Sequence, residues 1–253
     1  RLSLVGSEMC IRDSMIPHVI YYCWFGGNPL PPDALRCIES WKRFFPDWEI
    51  RRIDESNFDV RSIPYTAQAY DAGKYAFVSD YARFDILYRE GGLYFDTDVE
   101  VIRTFDDIVA RGPFMGMEGS NVAPGLGLGT TAGHPLYNEI LDFYRAAAFA
   151  DSDGNKLPGT VVGHATAILR RHGFEDNGQM QTIGGITIYP NDWFCPFDDI
   201  TGRLNITPDT RSIHHYSKSW CDDAGPWRTR ISRLAHRLIG TEASARIKKL
   251  IRM

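Results

Sequence analysis

The chain has 253 residues, 43% of them hydrophobic, enough for one sizeable core and too little for two typical domains. Charged residues make up 24% and the formal net charge is -4, an ordinary balance that gives no basic nucleic-acid footprint. The five cysteines, Cys10, Cys23, Cys37, Cys195 and Cys221, are scattered and lack Cys-x-x-Cys spacing. They read as reduced thiols rather than as a disulfide framework or a zinc site.

Residues 1–14, RLSLVGSEMCIRDS, lack the charged start, apolar middle and small-residue cleavage site of a signal peptide. They resemble translated sequencing-adapter read-through, with a frayed native N-terminus as the alternative, so Met15 is the expected natural start and the first fourteen residues are set aside. The run Ile16 to Phe25 reads as a first buried strand that ends in the loop Gly26-Gly27, with Trp24 at its end. Pro31-Pro32-Asp33 starts a helix whose inner stripe is Leu35, Ile38, Trp41 and Phe45. Trp48 to Asp54 is a short second strand, and Ser56 to Tyr75 is short helices and loops.

From Phe77 to Tyr88 apolar residues recur at roughly helical spacing, and Gly91-Gly92 stops the helix. Leu93-Tyr94-Phe95 is a buried strand with Asp96-Thr97-Asp98 at its tip. Ligands of α/β sheets bind beyond the carboxyl ends of strands. Two neighbouring carboxylates repel unless a positive group lies between them, and a hard cation such as Mg²⁺ or Mn²⁺ suits oxygen ligands. On a helix, Asp80 and Arg83 share one face and can form an ion pair. Lys74, close by, reads as a solvated lysine with a phosphate contact as the alternative.

Val99 to Ile102 continues extended, Phe105 to Val109 is a short helix and Phe114 to Glu118 a strand. Gly125-Leu126-Gly127-Leu128-Gly129 does not read as a dinucleotide loop: no acid follows at the required distance and no helix opens directly after it. It reads instead as a strand and loop whose small residues admit close backbone approach. His134-Pro135 starts a helix with Leu136, Ile140, Leu141 and Tyr144 inside. Asp151 to Pro158 is a polar loop, Pro158 to Leu169 a loop into a helix, and Ile186 to Tyr189 and Trp193 to Phe197 are short strands. Arg211 to Trp220 follows with His214-His215 and Ser219-Trp220. After Trp227 the chain turns basic, with Ile231, Leu234, Leu238 and Ile239 at helical spacing between cations. That segment suits an anionic membrane surface, or equally a helix packed on the domain.

The stretch SDYARFDILYREGGLYFDTD resembles the signature of glycosyltransferase family 32, the DXD-containing sugar transferases, which include bacterial capsule and lipopolysaccharide enzymes. The resemblance spans most of Ile16 to Trp220. It implies a GT-A type α/β fold, a nucleotide-diphospho-sugar transferase fold with a mostly parallel central sheet flanked by helices, over residues 15–227, with 228–253 as a basic amphipathic segment. It implies a metal-dependent, retaining transfer of sugar from a nucleotide-diphosphate sugar donor to a hydroxyl of a glycan or lipid-linked acceptor. Mn²⁺ or Mg²⁺ would be held by Asp96, Asp98 and His215, the residue five before Trp220, with His214 as the alternative ligand. Asp96, Asp98 and Arg83 would carry catalysis. Trp24 would stack on the base, Asp80 would take the ribose, and Arg83, Tyr94, Lys218, Ser219 and Trp220 would contact the donor. Trp24 and Tyr94 also fit plain core packing. The implied setting is cytoplasmic, peripheral on the inner face of the plasma membrane, in bacterial surface polysaccharide synthesis, with no nucleic-acid partner. The alternatives are a non-catalytic nucleotide-sugar or glycan-binding protein, and another metal-dependent nucleotidyl or phosphoryl transferase.

Overall fold

The computed structural model describes residues 15–151, 154, 156 and 159–217. The leader at 1–14, Pro158, Lys218, Ser219, Trp220 and the basic segment at 228–253 lie outside the described residues, as do Cys10 and Cys221.

In chain order the elements are β1 (Val19–Cys23), α1 (Pro32–Phe44), β2 (Glu49–Ile53), α2 (Pro64–Asp71), α3 (Tyr75–Glu90), β3 (Gly92–Tyr94), β4 (Val99–Val101), α4 (Asp106–Arg111), β5 (Phe114–Glu118), β6 (Asn121–Val122) and β7 (Leu128–Thr130). There follow α5 (Pro135–Ala146), α6 (Val161–Arg171), β8 (Gln181–Ile183), β9 (Ile186–Tyr189), α7 (Asn191–Phe194), β10 (Phe197–Asp198), β11 (Arg203–Leu204) and β12 (Ser212–His214). The main sheet runs β2-β1-β3-β7-β5-β9-β8, with β6 paired to β5. β1 is parallel to β2 and β3, and β5 is parallel to β9. β7 enters antiparallel between β3 and β5, and β8 closes the edge antiparallel to β9. β2, β1, β3, β5 and β9 therefore all point one way, which is the mostly parallel sheet expected.

Both faces of the sheet are buried. Tyr21, Tyr94 and Met115 pack on one side with α3, α5 and α6. Ile20, Leu93 and Phe114 pack on the other with α1, α4 and α7. Successive strand residues alternate between these two cores, as the pleat requires, and strands covered on both faces read as near-continuous apolar runs.

Three details depart from the pattern read in the sequence. The inner stripe of α1 is Ala34, Cys37, Ile38 and Trp41, while Leu35 is 48% exposed. Counting from Leu35 placed the stripe one position off its outer edge. Trp193-Phe194 lies in the helical turn α7 rather than a strand, because Cys195 N–H bonds back to Asn191 O at 2.8 Å. Only Phe197-Asp198 pairs, in the small β10–β11 hairpin.

The glycine stop after α3 is sterically dictated. Gly91 has φ of 70° and Gly92 of 113°, left-handed values that favour glycine. A Cβ on Gly91 would lie 2.9 Å from Ala132 N, and one on Gly92 2.8 Å from Val19 O. The tight turn sends β3 directly back under α3.

β4 stands off the main sheet and, among the described residues, pairs only with β12, antiparallel, with Val99 opposite His214. Its other edge is closed by α1. The fully buried Trp41 donates Nε1–H to Val99 O at 2.7 Å, and Val101 N–H donates to Ser40 Oγ at 2.9 Å. These bonds satisfy backbone groups that would otherwise be buried without partners, and they fix the strand that follows Asp98. Trp41→Ala is expected to cost about 3–5 kcal/mol, measured by urea unfolding, from the cavity and the orphaned carbonyl together. A loss below about 1 kcal/mol would show that α1 does not anchor β4.

Candidate active site

The residues that leave the carboxyl edge of the sheet line a cleft of about 500 Å³. Trp24 enters it just beyond β1, Asp96 and Asp98 beyond β3, Gly125 and Leu126 ahead of β7, and Glu118 at the end of β5. The opening of α3, with Lys74 to Phe77, forms one wall, and His214 at the end of β12 with Tyr216 and Ser217 beyond it forms another.

At the centre is a buried cation. Arg83 is 4% exposed, and its Nη2 lies 3.1 Å from Asp80 Oδ1 and 3.4 Å from Asp96 Oδ1. Its Nε donates to Ser79 O at 3.0 Å, and the guanidinium sits 4.8 Å from the centroid of the Tyr94 ring. Tyr94 OH donates to Asp96 Oδ1 at 2.8 Å. The i,i+3 spacing on α3 brings Asp80 and Arg83 together, and β3 delivers Tyr94 and Asp96 to the same point. Burial pushes the Asp80 carboxyl up to about 7, with the Arg83 charge pulling it back.

Asp96-Thr97-Asp98-Val99 is a tight turn, with Val99 N–H on Asp96 O at 3.0 Å. It sets the two carboxylates side by side. The turn is pinned to the loop before β7 by Asp96 N–H on Gly125 O, also 3.0 Å. A Cβ on Gly125 would fall 2.0 Å from Asp96 Oδ2, so only glycine leaves that carboxylate its place. The sequence signalled small residues here, though not the group they clear.

Asp98 Oδ1 faces His214 Nε2 at 3.3 Å, and its Oδ2 accepts Ser217 N–H at 2.8 Å. Burial alone would raise the Asp98 carboxyl, but its bonds to His214 and Ser217 outweigh it and hold the group well below the usual carboxylate range. Burial opposes charge on His214, yet its hydrogen bonds to Asp98 and Cys195 raise it to about 10.

Asp96, Asp98 and His214 offer one ligand atom each within 4.8 Å of one another. Two carboxylates and an imidazole form a donor set for a borderline or hard divalent cation, and the His214 ring is held with its Nε2 toward Asp98. The residues present therefore fit a divalent ion. The structure brings His214 to this position, not the expected His215. His215 turns away, its Nε2 2.8 Å from Glu100 Oε2 in an exposed pair. Neighbouring residues of an extended chain project to opposite faces, so only one of the two histidines can face Asp98, and here it is His214.

Trp24 is partly buried and lines the cleft, with Nε1–H on Asn28 O at 2.7 Å. Two cleft residues carried no sequence signal. Tyr216 donates to Glu118 Oε1 at 2.7 Å, has its OH 2.9 Å from Cys195 Sγ, and lays its ring 4.2 Å from that of His214. Ninety-eight residues separate Tyr216 from Glu118, and no local motif spans that distance. The described cysteines, Cys23, Cys37 and Cys195, are free and buried.

Residues 31–115 match the family described as "Glycosyltransferase sugar-binding region containing DXD motif". An uncharacterized glycosyltransferase of Acanthamoeba polyphaga mimivirus is 30% identical over 163 residues, covering 56% of this chain and 63% of the relative. Inositol phosphoceramide mannosyltransferase 3 of Schizosaccharomyces pombe is 27% identical over 134 residues, covering 51% of this chain and 37% of the relative. The chain thus spans less than two thirds of the length of either. Among solved structures, PaToxG glycosyltransferase aligns with a TM-score of 0.46 and 20% identity, over 62% of this chain and 68% of that one. The galactosyltransferase LgtC, solved with donor and acceptor sugar analogues, aligns with a TM-score of 0.43 and 13% identity, over 88% and 97%.

A cation on His214 requires the neutral imidazole, so binding must displace a proton from a group raised to about 10. The sign follows: the charged histidine stabilises the metal-free fold below its ordinary range, and that contribution fades as pH rises through about 10. Mn²⁺ affinity, titrated by calorimetry between pH 6.5 and 8.5, should therefore rise roughly tenfold per pH unit. His214→Gln should remove that slope and His215→Gln should keep it; the reverse result would return the assignment to His215.

Proposed function

We propose that the chain, whose residues 31–115 match a glycosyltransferase sugar-binding region containing a DXD motif, is a metal-dependent, retaining glycosyltransferase. It moves a sugar from a nucleotide-diphosphate sugar to a hydroxyl of a glycan or lipid-linked acceptor. The observation that carries this reading is the Asp96–Asp98–His214 cluster at the sheet's carboxyl edge, inside a cleft that also holds Trp24, Asp80 and Arg83.

The roles follow from chemistry and position. Trp24 offers a flat face at one end of the cleft, suited to stacking on a base. Asp80 presents a carboxylate for ribose hydroxyls, and Arg83 fixes both Asp80 and Asp96 in place. The amino-terminal end of α3 turns its partial positive charge toward the cleft, where a diphosphate would lie. A divalent cation held by Asp96, Asp98 and His214 would supply Lewis-acid neutralisation of the leaving diphosphate. Lys218, Ser219 and Trp220 continue the chain directly from Ser217, which already touches Asp98, and are proposed to cover the donor. Retention rests on the family resemblance, with the leaving phosphate helping to deprotonate the acceptor. The same resemblance supports a role in bacterial surface polysaccharide synthesis on the inner face of the plasma membrane, with the basic segment at 228–253 on anionic lipid. Among the described residues no helix is long and apolar enough to cross a membrane.

Incubation with Mn²⁺ and a panel of UDP- and GDP-sugars, followed by assay of released nucleoside diphosphate, tests the reading. One donor should be turned over in a chelator-sensitive manner. Asp98→Ala should abolish turnover, and Trp24→Ala should weaken nucleoside diphosphate binding by about 1–3 kcal/mol. Turnover that survives chelation or the Asp98 substitution would overturn the proposal.

A further inference from the structure

The order of strands fixes the order of groups along the cleft. Trp24 follows β1, the Asp96–Asp98 pair follows β3, Gly125 precedes β7, and Glu118 ends β5, with the strands adjacent in the order β1-β3-β7-β5. Neighbouring strands lie about 4.8 Å apart. Glu118 therefore stands two strand spacings beyond the carboxylate pair, roughly 10 Å, on the side away from Trp24. A nucleotide-diphosphate sugar laid along this edge, base at Trp24 and diphosphate at the pair, has its sugar at Glu118.

The carboxylate of Glu118 is built in rather than loose. Its Oε1 accepts Tyr216 OH at 2.7 Å, and that hydroxyl lies 2.9 Å from Cys195 Sγ. Tyr216 is the only non-glycine residue among those described with a positive φ, 52°. Its ring lies against His214, 4.2 Å between centroids, so one side chain ties the carboxylate to the Asp98–His214 cluster. Among the described residues Oε2 of Glu118 has no hydrogen bond, and the residue lines the cleft. A carboxylate in that position accepts hydroxyl protons and repels anions. It is unsuited to the diphosphate and suited to a neutral sugar.

We propose that Glu118 is the residue that recognises the hydroxyls of the transferred sugar, selecting neutral hexoses against sugars that carry a carboxylate, and that Tyr216 is its positioning residue. This rests on the glycosyltransferase reading above.

The test compares binding of UDP, GDP, UDP-glucose, UDP-galactose, GDP-mannose and UDP-glucuronate by calorimetry with Mn²⁺. The sugar increment is the affinity of a sugar nucleotide relative to its own nucleoside diphosphate. In the native chain the increment should be largest for a neutral hexose and absent for UDP-glucuronate. Glu118→Gln should lower the neutral increment about tenfold, give UDP-glucuronate a measurable increment, and leave nucleoside diphosphate affinity within about twofold. Tyr216→Phe, which keeps the ring against His214, should lower the increment by less and leave Mn²⁺ affinity unchanged. An unchanged increment in both variants, or a parallel loss of nucleoside diphosphate and sugar nucleotide, would overturn the role of Glu118 while leaving the transferase reading intact. A native chain that binds no nucleoside diphosphate would overturn the transferase reading and this role with it.

Discussion

The site depends on one buried guanidinium. Arg83 is almost without solvent, and a charge in that position is tolerated only when paired and hydrogen-bonded. Asp80 from its own helix, Asp96 from the end of β3, the carbonyl of Ser79 and the face of Tyr94 meet that demand together. The pairing works in both directions. Without Arg83, Asp80 and Asp96 would be two carboxylates close together with no cation between them, and Asp98 would add a third negative charge nearby. With it, both acids have a cationic partner, and Asp98 is left to face His214 across the cleft.

The rest of the fold keeps that arrangement in place. The Gly91-Gly92 turn brings β3 back under α3, so that the helix carrying Arg83 and the strand carrying Asp96 share one contact. Gly125 leaves room for the Asp96 carboxylate and supplies the carbonyl that holds its backbone. Trp41 and Ser40 close one edge of β4 and β12 closes the other, and β12 is what carries His214 to Asp98. The candidate ligands are thus divided between two parts of the chain more than a hundred residues apart, joined by a three-residue strand pairing.

Much of this was legible in sequence because it is local. The Asp80–Arg83 spacing, the double glycine and the Asp-Thr-Asp at the end of an apolar strand lie within twenty residues, and helix and strand periodicity place them without further help. The helix of Pro135–Ala146 and its inner residues followed for the same reason. What was not legible depended on the third dimension. Which of His214 and His215 faces the acids is decided by the register of β12 on β4. Leu35 is exposed because the inner stripe of α1 turns through Ala34 and Cys37, small residues that apolar counting undervalues. The contact between Glu118 and Tyr216 joins two positions, one at the end of β5 and one just beyond β12, that only the tertiary fold brings to one place.

The central claim is that Asp96, Asp98 and His214 hold a cation that meets the diphosphate of a sugar nucleotide. Pulsed electron paramagnetic resonance on the chain loaded with Mn²⁺ and a nucleoside diphosphate tests it most directly. The account predicts a nitrogen coupling from one imidazole that disappears in His214→Gln and persists in His215→Gln, together with phosphorus coupling from the diphosphate. A manganese signal with no phosphorus coupling, or a nitrogen coupling that survives in His214→Gln, would contradict it.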